Sequence, residues 1–300
     1  MSFDTPVILL VFNRPHTTQR VFEVISQIKP KQLFIVADAP RANQPTDVEN
    51  CAKVRSIVEQ VNWSCEIHKN YADINMGCRD RVSSGITWAL QIVNEAIILE
   101  DDCLPSLSFF RFCQEMLDRY RHDMRVMHIS GSNFQLGRER SKYSYYFSKF
   151  VHIWGWATWS RAWQYYDVEM KLWNFLKETA FLDNLFANKG AVKYWQKNIQ
   201  KIHDKLVDTW DVQWTLACWM QNGLCIVPKY NLVSNIGFGA GATHTFWKNI
   251  FAELSTKEMD FPLTHPPFMV PNRKADQFIE NVMFNRNIIS RIRRNLGLWV

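Results

Sequence analysis

Three hundred residues, 47% of them hydrophobic and 21% charged, suit one large soluble domain or two closely packed ones. The formal charge of +6 is mild, and without a broad basic face it argues against nucleic-acid binding. No stretch approaches the roughly 20 apolar residues of a membrane span. Seven scattered cysteines without a CxxC pair suggest reduced thiols in a cytoplasmic protein.

The opening "PVILLVF" is too short for a signal peptide and lacks a basic start. Its continuous β-branched run predicts a buried strand over 7–12, broken by Asn13-Arg14-Pro15. Thr17 can cap a helix whose Val21, Val24, Ile25 and Ile28 share one face. "LFIVAD" (33–38) predicts the second strand, and a helix follows around 47–61, then a short strand near 63–68. A helix over about 78–93 buries Val82, Ile86, Ala89, Leu90 and Val93, and "AIIL" (96–99) is another apolar strand. Glu100, Asp101 and Asp102 end it, and a helix begins near Ser106. Strands apolar on both faces and separated by helices predict an α/β fold with a mostly parallel central sheet flanked by helices.

After residue 125 the alternation loosens. "RVMHISGSN" and "YSYYFSKF" predict strands, "WGWATWSRAW" leads into helical material to about 206, and "DTWDVQWTLACWMQNG" is a short helix. "LCIVP" is a further strand before the Gly-rich "NIGFGAGATHT". Residues 1–125 thus read as an alternating α/β half and 126–275 as a second half packed on it. Residues 276–300 read as a basic amphipathic tail carrying Arg286, Arg291, Arg293 and Arg294, either packed on the body or lying on a membrane surface.

In open α/β sheets ligands bind beyond the carboxyl ends of the strands. Asp38 and the Glu100-Asp101-Asp102 triplet fall at such ends. If the triplet stays extended, Glu100 and Asp102 face one way and Asp101 the other. Two carboxylates on one side suit a hard divalent cation that keeps positions open for phosphate oxygens; the alternative is three solvated loop acids. Asp38 can accept from a nucleobase imide or serve as a turn acid before Pro40. No GxxxxGK[ST] or GxGxxG follows the first strand, which removes support for ATPase and dehydrogenase readings. His244, closing the glycine loop, is a candidate metal or diphosphate ligand. Trp154 and Trp156 either pack in the core or wall a sugar, with Gly155 allowing a ligand to approach.

The ordered set "PVILLVFNRP", Asp38, "EDD" and "WDVQW" resembles GT-A glycosyltransferases over residues 5 to 245, most closely the N-acetylglucosaminyltransferase I type and its bacterial relatives. That resemblance implies a GT-A fold with residues 1–125 as the nucleotide-binding half and 126–275 as the acceptor and catalytic half, and a UDP-sugar donor, with UDP-N-acetylglucosamine as a candidate. It implies that Asp38 holds the uracil, that Asp102 ligates Mn²⁺ (or Mg²⁺), and that Glu100 and Asp101 face ribose and sugar. It further implies that Asp211 is the base near the acceptor, and that Arg14 and Arg81 sit near the nucleotide; Arg79 fits almost as well as Arg81. Asp211 also has a structural alternative, as the N3 acid of a helix capped by Asp208.

One base and one metal, with no second carboxylate as nucleophile, would invert the sugar carbon. The reading is a metal-dependent inverting transferase in bacterial surface glycan synthesis, its acceptor a glycan or lipid-linked glycan. Its expected place is the cytoplasm or the inner face of the membrane, touched through the tail. A sugar nucleotidyltransferase is the rival of related fold, and a non-catalytic carbohydrate-binding protein the rival of another class. The former would want a glycine-rich loop where "VFNRPHTT" has none, and the latter would not need Asp102 or Asp211.

Overall fold

In the computed structural model, residues 3–238, 251 and 253–284 are described. His244 and residues 285–300 of the tail, on which two expectations rest, lie outside them.

The run Val7–Val11 forms β1 and is buried at every position, the consequence of β-branched and leucine side chains with both faces of the strand covered. Helix α1 (Pro15–Ile28) starts on a proline, whose missing N–H costs nothing in a first turn, and it buries Val21, Phe22 and Ile25. Strand β2 (Gln32–Ala37), α2 (Pro45–Val58), β3 (Glu66–Tyr71), α3 (Gly77–Ile92) and β4 (Glu95–Glu100) complete the alternation. After β5 (Cys103–Pro105), α4 (Leu107–Tyr120) follows. Ser106 stands at its N-cap position, but its side chain makes no cap bond. The Glu258 carboxylate instead accepts from the N–H groups of Leu107 and Ser108, at 3.2 and 2.8 Å.

The second half contributes β6 (Val126–Ser130), β7 (Tyr145–Ser148), β8 (Trp156–Trp159) and β9 (Leu224–Pro228), and β10 (Val233–Asn235) pairs with β5 in a two-stranded ribbon. Short helices α5 (Ser160–Trp163), α6 (Trp173–Leu176) and α7 (Phe181–Leu185) precede α8 (Lys189–His203) and α9 (Asp211–Met220). The large sheet has eight strands in the order β3-β2-β1-β4-β8-β6-β9-β7. Pairs β1–β2, β2–β3, β1–β4 and β6–β9 are parallel; β8 runs antiparallel to both β4 and β6, and β7 antiparallel to β9. This is an α/β fold with a mostly parallel central sheet flanked by helices. Strand β8 was expected as an approach to helix, and it is the element that joins the two halves into one continuous sheet.

The boundary placed before residue 276 falls inside α10 (Arg273–Ile279). A single π-helical turn, Glu280–Phe284, continues it. Ile279, Val282 and Phe284 are buried in the same cluster as Phe150 and Trp195, so residues 276–284 belong to the packed body.

Candidate active site

Above the carboxyl ends of β1, β2 and β4 lies a cleft of about 780 Å³. Arg14, Asp38, Arg81, Glu100, Asp101, Asp102, Trp154 and Asp211, eight of the ten residues singled out from the sequence, line it. They arrive from the ends of three parallel strands and the turns after them, from α3, from the loop before β8, and from the start of α9.

The acidic triplet does not stay extended. Glu100 ends β4, and the chain turns at Asp101 and Asp102 before β5 begins. The expected alternation therefore fails, and Asp101 and Asp102 converge on one guanidinium. Arg14 pairs with Asp101 through Nη2, and donates from Nη1 to Asp102 Oδ2 at 2.7 Å. Asp101 is almost fully buried and accepts a second bond from the Phe12 N–H at 3.2 Å. Burial alone would lower the Arg14 pKa, but Asp101 and Asp102 override it and the net shift is upward. Burial lifts the Asp101 carboxyl, although Arg14 pulls against it.

Glu100 has no such partner among the described residues. Burial, and then the neighbouring Asp102, push its carboxyl up to about 8. Burial also lifts the Cys78 thiol, with Glu100, Asp208 and Asp211 adding to the effect. The backbone of residues 235–237 closes on the Arg14–Asp102 pair from above. Ile236 N–H donates to the Asp102 carbonyl at 2.8 Å, and a Cβ at Gly237 would stand 2.2 Å from Asp102 Oδ2 and 2.8 Å from Arg14 Nη1.

Asp38 is engaged on all sides by its surroundings. Its carboxylate accepts from the N–H groups of Ala39, Met76 and Gly77 and from the Asn75 amide, at 2.8–3.3 Å. Those donors occupy both oxygens, so a uracil imide would have to displace one of them. Asp38 pins the 75–77 loop at the end of β2. Arg81 is likewise engaged: Nε donates to the Ala37 carbonyl, and Nη2 to the carbonyl and side-chain oxygen of Asn70. Arg79 is absent from the lining and pairs with Asp80.

Asp208 does not cap α9. Its two oxygens accept from Cys78 N–H and Arg79 N–H, both at 2.8 Å, and so cap α3 across the cleft. Asp211 opens α9, where an acid suits the helix dipole, and its Oδ1 accepts from the Thr209 hydroxyl. That leaves Oδ2 without a hydrogen-bond partner among the described residues.

The two tryptophans separate. Trp154 lines the cleft, its ring 5.6 Å from that of Phe238. Trp156 is fully buried in β8, stacked on His128 and Trp210 at centroid distances of 5.0 and 5.5 Å. It has no face open to the cleft, because strand alternation points it to the layer beneath. Gly155 is explained by backbone rather than ligand: its φ is +64°, and a Cβ would meet Val233 at 2.7 Å.

Sequence reasoning missed several lining residues, among them Phe12, Arg41, Asn75, Tyr194, Asn198 and Asp208. Arg41 follows β2 directly, its guanidinium 5.4 Å from the Phe12 ring centroid and bonded to Asp47. Its place after a strand end was the available signal. Tyr194 and Asn198, one turn apart on α8, left no signal without knowledge of the tertiary fold.

No family model matches the chain, and no curated protein sequence matches it. Among solved structures it is similar to a mannosyltransferase from Pyrobaculum calidifontis in complex with GDP-mannose and Mn²⁺ (14% identity, TM-score 0.34), covering 53% of this chain and 45% of that one. It is also similar to mouse xyloside xylosyltransferase 1 (8% identity, TM-score 0.36; 71% of this chain and 81% of that one). A third likeness is to a UDP-glucose pyrophosphorylase (10% identity, TM-score 0.36; 77% and 93%). At these scores the likenesses give the functional reading no weight, and it rests on the cleft.

Proposed function

We propose that the chain is an inverting glycosyltransferase that moves a sugar from a UDP-sugar, with UDP-N-acetylglucosamine as a candidate, to a hydroxyl of a glycan or lipid-linked glycan. The observation that carries this reading is one cleft lined together by Arg14, the acidic triplet and Asp211.

A divalent cation, Mn²⁺ or Mg²⁺, fits the donor set. Glu100, Asp101, Asp102, Asp208 and Asp211 line the cleft, whereas Arg14 is the cation paired within the triplet. A nucleoside diphosphate brings further negative charge, which such a cleft repels unless a cation comes with it. Among the described residues no three His, Cys, Asp or Glu side chains are grouped to hold a metal alone. Asp102 and Glu100 would hold it, with diphosphate and water completing a hard-cation shell. When bound, the metal stabilises the negative charge that grows on the departing diphosphate.

The chain's own groups supply the rest. Arg14, anchored on Asp101, presents its guanidinium at the diphosphate end. Phe12, Arg41 and the 75–77 loop border the base, with Asp38 acting through that loop. Trp154 offers a ring face to sugar. Asp211, oriented by Thr209, accepts the proton of the attacking acceptor hydroxyl at Oδ2, a contribution of about 10²–10⁴ in rate.

The test is UDP release from a panel of UDP-sugars with Mn²⁺, with and without acceptor. Activity that Asp211→Asn reduces while UDP affinity is kept supports the reading. No UDP binding in the presence of Mn²⁺ refutes it, and pyrophosphate release would move the chain to the nucleotidyltransferases.

A further inference from the structure

Helix α8 carries Lys189, Lys193, Lys197 and Lys201 and no acid over its fifteen residues. At i, i+4 spacing these lysines form one row about 18 Å long. The helix buries Ala191, Val192, Trp195, Ile199 and Ile202, so the row faces away from the core. Lys189 pairs with Asp183. Lys193, Lys197 and Lys201 are exposed and have no ion-pair partner among the described residues. The acids nearby are already engaged, Asp204 by Gln200 and His203, and Glu169 by Lys205.

Beside this row stand large apolar side chains in water. Leu172, just before α6, and Phe175 on it are 56% and 68% exposed, and Leu206, just past α8, is 72% exposed. Trp173 Nε1 donates to Gln200 Oε1 at 3.0 Å, and Lys205 meets Glu169 at 3.1 Å, which holds the α6 segment against the end of α8. The patch borders the cleft directly. Tyr194, Asn198 and Ile202 of α8 line it, as does Val207, and Asp208 and Asp211 follow in the chain.

We infer that this face docks on an anionic lipid bilayer, the lysine row against the headgroups and Leu172, Phe175 and Leu206 in the interface. Charge complementarity selects the bilayer, and the exposed apolar side chains favour it over a soluble polyanion, which would give them no apolar environment. Among the described residues no helix is long and apolar enough to cross a membrane, so the contact is peripheral. On the transferase reading, the cleft mouth then opens at the membrane surface and the acceptor is lipid-anchored.

The test is co-sedimentation of the full chain with vesicles of phosphatidylglycerol and phosphatidylcholine, against phosphatidylcholine alone. Binding is expected to the anionic vesicles. Reversing Lys193, Lys197 and Lys201 to Glu should weaken it at least about a hundredfold, and Phe175→Ser with Leu206→Ser should weaken it further. Reversing Lys31, Lys53 and Lys69 in a charge-matched control should leave most of it in place. Binding that survives the first triple reversal, or that the control abolishes equally, overturns the inference. So does a wild-type chain that binds heparin but no vesicle. The measurement needs neither nucleotide nor transfer, so its failure leaves the transferase reading standing, and failure of that reading leaves the docking face to be judged on vesicles alone.

Discussion

Glu100→Gln should stabilise the protein in alkaline solution and leave it unchanged in mild acid. Burial and Asp102 raise the Glu100 carboxyl from 4.5 to about 8 in the folded chain. A raised carboxyl binds its proton more tightly folded than unfolded. Its contribution to stability is therefore full below about pH 4.5 and is lost as pH rises through about 8. A shift of that size corresponds to an upper bound of roughly 5 kcal/mol. Glu100 sits at a cleft where water and a turning Arg14 can answer the new charge, so about 2 kcal/mol is the reasonable expectation. For a chain this long that is a difference of roughly 4 °C in melting temperature. Circular-dichroism melts of both proteins from pH 4 to 9 read it directly. The curves should coincide near pH 4, separate progressively as pH rises from 4.5 to 8 and run parallel above that, with the glutamine form the more stable. Asp276, which burial lifts to about 6, titrates alike in both and cancels in the difference. If the two curves fall in parallel, Glu100 is not the strained carboxyl and the case for a cation beside it weakens.

Five other substitutions probe separate joints of the site. Gly237→Ala should weaken UDP–Mn²⁺ binding by calorimetry with little change in melting temperature, because its methyl intrudes on the Arg14–Asp102 pair. Trp156→Ala should cost about 3–5 kcal/mol in urea unfolding, as a core deletion does, whereas Trp154→Ala should lower sugar-donor affinity and spare stability. Asp208→Ala removes the cap of α3 and should cost about 1 kcal/mol, measured in the same unfolding experiment. Asp38→Asn should destabilise by about 1–3 kcal/mol, since its amide would confront backbone N–H groups; unchanged stability with lost UDP affinity would restore a direct base contact.

The strands were legible because a stretch apolar at every position cannot be a half-exposed element. β1, β2 and β4 appear within a residue or two of where "VILLVF", "LFIVAD" and "AIIL" placed them. Strand ends then located the cleft, since backbone direction decides where the turns gather. Caps were less legible. Asp208 was assigned to the helix nearest in sequence and serves α3 instead, 130 residues away, and α4 is capped by Glu258 rather than Ser106. A carboxylate caps whichever free N–H groups the tertiary fold brings within reach, and local spacing does not record that.

The same distinction explains the triplet. Reading it as extended strand gave two faces, because period-two alternation is all the sequence offers at a strand end. The turn at Asp101 cancels that alternation and lets one guanidinium serve two carboxylates. Arg14 is 26% exposed in that pair and Asp102 13%, so the pair sits at the cleft surface, where an incoming diphosphate can compete for the guanidinium. A buried ion pair loses most when one partner is removed; on the proposed transferase reading, Asp101 would remain as the anchor as Arg14 turns toward phosphate. That leaves Asp102 and Glu100 as the two carboxylates without a cation at the moment the donor enters. Cation and donor should therefore bind cooperatively. The measured Mn²⁺ affinity should rise in the presence of UDP, and by reciprocity UDP affinity should rise by the same factor with Mn²⁺. Equal Mn²⁺ affinity with and without UDP would mean that Arg14 stays on Asp102 throughout and that the metal, if one binds, is held elsewhere.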